Sequence, residues 1–82
     1  MYMSIRYIEN QREKDMLIDV YFESEGVRKM IKLIDDKQLA GATLYMDGKE
    51  YCFAYPRGNK TIVVFNKKKR QVNKKLTKKR IN

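Results

Sequence analysis

The chain has 82 residues, one cysteine and no histidine, with 43% hydrophobic and 35% charged residues and a formal net charge of +9. That length admits one small domain with a modest core, and the balance of charged and apolar residues fits a globular chain rather than a disordered one. A lone cysteine cannot form an internal disulfide, and the missing histidine removes the commonest metal ligand and general base.

Residues 3–8 read as a short strand. Residues 9–15, ENQREKD, are a polar break suited to a turn. Residues 16–22, MLIDVYF, resume as a strand with Met16, Ile18, Val20 and Phe22 on one face and Asp19 and Tyr21 on the other. Antiparallel pairing is the simplest connection between the two.

Ser24-Glu25-Gly26 changes the period. Val27, Met30, Ile31 and Ile34 follow the i, i+3, i+4, i+7 spacing of a helix face, which predicts a helix near residues 25–40. Ser24 suits its N-cap and Gly41 the position just past its C-terminus. Arg28, Lys29 and Lys32 precede Asp35 and Asp36, an order that opposes the helix dipole. A strand over residues 27–34 is the competing reading.

Residues 42–55, ATLYMDGKEYCFAY, carry the strongest local signal. Asp47-Gly48 between alternating runs predicts a two-residue type I′ hairpin. The implied register sets Met46 opposite Lys49, Leu44 opposite Tyr51 and Ala42 opposite Phe53. One face then carries Ala42, Leu44, Met46, Tyr51, Phe53 and Tyr55, the expected core side. The other carries Thr43, Tyr45, Glu50, Cys52 and Ala54. Pro56-Arg57-Gly58-Asn59 is a turn cluster, and residues 60–65, KTIVVF, complete a meander.

The expected fold is therefore a small single-domain α+β protein: an N-terminal β-hairpin, one helix, a three-strand antiparallel meander and a basic C-terminal arm. A small all-β barrel with the same arm is the alternative. Residues 1–66 form the expected compact domain and 67–82 the arm, helical or disordered.

Charge divides at the same boundary. Of the nineteen Lys and Arg, ten lie within residues 1–66 beside all ten Asp and Glu, so the body is neutral. The other nine are Lys67, Lys68, Lys69, Arg70, Lys74, Lys75, Lys78, Lys79 and Arg80. Such a run neutralises phosphates and releases counterions, so the expected function is that of a non-enzymatic nucleic-acid-binding accessory protein, for DNA or RNA. Arg57 and Lys60, flanking the Gly58 turn, are candidates for a further phosphate contact. Tyr45, and with it Tyr21, is expected on the strand face away from the core, where a ring can stack an unpaired base.

Cys52 is expected on the non-core face beside Thr43, with no histidine to activate it. The carboxylates show no acid–base or metal spacing. No enzymatic activity, metal or cofactor is expected. No apolar run approaches the ~18 residues of a membrane span and no secretory signal is evident, so a cytoplasmic setting without membrane attachment is expected. The size and charge pattern resembles that of small accessory proteins of phages and mobile elements. The second functional expectation follows that analogy: an inhibitor or adaptor that binds a nucleic-acid-processing protein or a nucleoprotein complex of the host.

Overall fold

The computed structural model describes residues 1–66, and the basic arm over 67–82 lies outside them. Strand β1 (Tyr2–Glu9) turns at Asn10-Gln11 into β2 (Arg12–Asp19). Both turn residues have positive φ, 54° and 66°, as a type I′ turn requires. The expected polar break over 9–15 is thus mostly strand. Arg12, Glu13, Lys14 and Asp15 are exposed because β2 is an edge strand, where charge discourages pairing with another chain. The expected second strand over 16–22 begins and ends earlier. Val20 lies beyond it but is buried, its N–H donating to the Met1 carbonyl at 2.8 Å. Tyr21 and Phe22 are exposed in the connection that follows.

Helix α1 (Glu23–Lys37) buries Gly26, Met30 and Ile34, one residue per turn at a spacing of four. Helix, not strand, is what the period encodes. The N-cap is Phe22 rather than Ser24, with no side-chain bond of its own. Ahead of the cap, Glu25 reaches back to accept the Tyr21 N–H at 3.0 Å, and the Glu25 N–H donates to Phe22 O. Glu23 and Glu25 in the first turn suit the helix dipole, and Arg28 lies past that turn. The helix closes three residues short of expectation. Gln38 takes the left-handed conformation at φ 54°, and the Leu39 N–H donates to Ile34 O at 3.0 Å. At the helix C-terminus, Glu9 accepts from both Lys37 (3.2 Å) and Lys14 (3.0 Å), tying α1 to the first hairpin.

Strands β3 (Ala42–Met46), β4 (Lys49–Arg57) and β5 (Lys60–Phe65) form the meander. Asp47 and Gly48 have φ of 55° and 76°, the expected type I′ turn. Pairing of β1 with β3 joins the hairpin and the meander into one antiparallel sheet of order β2-β1-β3-β4-β5. The sheet is open, which excludes the barrel. The helix covers one face, and Met3, Ile5, Met30, Ile34, Leu44 and Cys52 are fully buried between the two layers.

One register expectation is overturned. Met46 faces Lys49 as expected, but Leu44 faces Cys52 and Ala42 faces Ala54, because the pairing shifts between Leu44 and Tyr45. Tyr51 is the extra residue of a β-bulge. Beyond it every side chain of β4 is on the opposite face from that predicted. Cys52 and Ala54 enter the core at 0% and 1% exposure, while Phe53 is 38% exposed. Tyr51 stays on the helix side, its hydroxyl 3.1 Å from a Glu23 carboxylate oxygen and its ring edge-on to Phe65.

Two tests follow from this packing. A Cβ on Gly41 would lie 2.9 Å from the Ala54 carbonyl oxygen, a backbone atom, whereas one on Gly26 would lie 2.6 Å from the flexible Met3 thioether. Gly41→Ala is expected to destabilise by about 1–3 kcal/mol in urea titrations. Gly26→Ala should cost less, since Met3 can rotate and the helix gains about 1 kcal/mol in propensity. Equal losses would count against the close approach at Gly41. For Cys52, burial first and then the Glu50 carboxylate push the thiol up to about 11. Iodoacetamide at mildly alkaline pH should leave it unmodified in the native chain and alkylate it in denaturant. Rapid native alkylation would contradict its place in the core.

Candidate nucleic-acid interface

The face without the helix is assembled by strand alternation. One row across it runs Asp15, Arg6, Thr43, Phe53 and Val64, from β2 to β5. On one side of this row Tyr55 lies opposite Ile62, and beyond them Arg57 lies opposite Lys60 at the hairpin tip. On the other side Ser4 lies opposite Tyr45, which in turn faces Glu50.

Arg6 organises the β1–β2 half of this face. It donates to Asp15 at 3.0 Å, lies 3.3 Å from Glu13, and places its guanidinium 4.8 Å from the centre of the Tyr45 ring. The hydrogen bond to Asp15, and then its charge, raise the Arg6 pKa further above its ordinary value. With Glu13, Asp15 and Asp19 exposed, this half is acidic overall. The β4–β5 half differs. Phe53 and Tyr55 set their rings 6.1 Å apart and 24° from parallel, beside the exposed Val64 and next to Arg57 and Lys60.

Three expected site residues can be placed. Arg57 and Lys60 are direct partners on one face, both exposed. Tyr45 is on the same face, as expected, but near the opposite end of the sheet. It faces Glu50, seven residues from Arg57 along β4, roughly 24 Å at 3.4 Å per residue. Tyr21 does not join them. It lies in the β2–α1 connection, where it lines a groove on the helix side with Phe22, Val27, Tyr51 and Phe65. Lys67, Lys68, Lys69, Arg70, Lys74, Lys75, Lys78, Lys79 and Arg80 lie outside the described residues.

Phe53 and Tyr55 were missed because the predicted register assigned them to the core. A detectable signal existed. Cys52 and Ala54 are small enough to lie beneath a helix, and a bulge beside a tight turn exchanges the faces. Among the described residues no group of His, Cys, Asp or Glu is arranged to hold a metal ion, and no helix is long and apolar enough to cross a membrane. Family models, curated proteins and solved structures, compared in turn with the chain, contain no match to it.

Proposed function

We propose that this chain is a small, non-enzymatic nucleic-acid-binding accessory protein that uses its basic C-terminal arm for phosphate contacts. The observation that carries this reading is the division of charge: a neutral body of 66 residues, then nine bases and no acid in the sixteen that follow. A charge surplus so concentrated suits a polyanion, whose bound counterions are released on neutralisation. Arg57 and Lys60, paired at the β4–β5 tip, add a cationic pair on the folded body.

One observation favours a second reading. The two edges of the sheet are unequal. Strand β2 is guarded by alternating charges, whereas β5 runs Thr61 to Phe65 without one, and among the described residues nothing pairs with its outer side. An unguarded edge can take a strand from another protein. In this reading the chain is an inhibitor or adaptor of the phage or mobile-element type, docked on a nucleic-acid-processing protein through β5.

Fluorescence anisotropy at several salt concentrations separates the two. If five to eight arm bases engage duplex DNA, log K should fall against log salt with a slope of roughly 4 to 7. Replacing Lys67, Lys68, Lys69 and Arg70 by Gln should flatten that slope by about 3 to 4. No binding at low salt, together with nuclease-resistant recovery of one protein in a pull-down, would favour the second reading.

A further inference from the structure

We infer that the β4–β5 half of the helix-free face is a stacking platform for single-stranded nucleic acid, with Phe53 and Tyr55 receiving bases and Arg57 and Lys60 receiving phosphate. The inference rests on the nucleic-acid reading above and names its substrate class.

The bulge at Tyr51 is the structural cause. It sends the small Cys52 and Ala54 beneath the helix and puts the two large rings on the opposite, uncovered face. Consecutive same-face positions on a strand are about 7 Å apart. The 6.1 Å separation and 24° tilt of Phe53 and Tyr55 describe two nearly parallel rings in an offset stack. Rings so placed offer successive π surfaces to successive unpaired bases, a sequence-tolerant mode of binding. Paired bases within a duplex present no free face to them.

Charge selects the same partner. Among the described residues neither Arg57 nor Lys60 forms a salt bridge, whereas Arg6, on the other half of the face, is neutralised by Glu13 and Asp15. Of the residues on the β4–β5 half, Phe53, Tyr55, Arg57, Lys60, Ile62 and Val64 include no acid, and Glu50 is at the far end opposite Tyr45. A single strand lying along β4 keeps its phosphates near the tip and clear of the acidic β1–β2 half. Tyr45 is outside the platform, because the Arg6 guanidinium occupies one side of its ring at 4.8 Å.

The test uses the full chain and anisotropy titrations on a labelled oligothymidylate and a duplex of equal length at low salt. The double variant Phe53→Leu, Tyr55→Leu keeps apolar volume but removes both π faces. Single-strand affinity should fall between about 5- and 150-fold per ring, the equivalent of ~1 to 3 kcal/mol per stacked base, with duplex affinity changed less than about twofold. Tyr45→Ala should leave both affinities nearly unchanged. Because leucines in β4 can disturb folding, a second variant uses the exposed tip: Arg57→Gln with Lys60→Gln should flatten the single-strand salt slope by about 1.4. Equal losses on both probes, or unchanged single-strand binding in both variants, overturn the platform while leaving binding by the arm intact. Failure of the unaltered chain to bind either probe overturns the nucleic-acid reading, and the platform with it.

Discussion

The fold depends on one long-range seam, the pairing of β1 with β3. The β1–β2 hairpin is a two-strand unit too small to stand alone, and the β3–β4–β5 meander gains from it the two further strands that widen its apolar face. The seam sets Ile5 opposite Leu44 and Met3 opposite Met46, which brings β1 into the same core as Met30 and Ile34. Closing a loop of roughly 40 residues costs about 3 kcal/mol in chain entropy beyond a constant. Burying one large apolar side chain contributes about 1.5–3 kcal/mol. Met3, Ile5, Leu44 and Met30, all at 1% exposure or less, together outweigh the closure. Gly26 lets the helix approach this seam, with Met3 and Leu44 directly beneath it.

The same seam explains how much of the fold was legible. Local rules located the Asp47-Gly48 turn, the helix period and the β5 run. They did not locate Asn10-Gln11, since neither residue is a glycine and the positive φ of Gln11 has no sequence signature. They also misplaced β2, whose polar start resembles a loop until its edge position is known. The bulge was the costliest omission. Tyr51, Phe53 and Tyr55 are the larger residues of β4, so the unbulged register and their size together point them to the core. The close cover of α1 instead admits Cys52 and Ala54, and only Tyr51 remains on the helix side.

Legibility of the candidate site divides along the same line. Arg57 and Lys60 could be read because they flank a turn, and turns are visible in sequence. Phe53 and Tyr55 reach the open face only through a register shift that no alternation pattern reports. The surface is thus asymmetric in two senses. Charge guards one edge of the sheet and not the other, and on the open face the acids Glu13, Asp15 and Asp19 lie on β2 while Phe53, Tyr55, Arg57 and Lys60 lie on β4 and β5.

The fork at Glu9 makes the fold sensitive to acid. The Lys14 hydrogen bond, and next that of Lys37, lower the Glu9 pKa below its ordinary 4.5. A carboxylate whose folded value is depressed stabilises the native state above its unfolded pKa, and that contribution disappears as pH falls through the folded one. Protonation removes both ammonium contacts together: the one from Lys37 fastens the last turn of α1 to the β1–β2 hairpin, and the one from Lys14 lies within that hairpin. Acid should therefore loosen the last turn around Lys37 first, while Met30 and Ile34 keep the rest of the helix seated in the core. In amide hydrogen exchange that is a local opening of the helix C-terminus, separate from global unfolding.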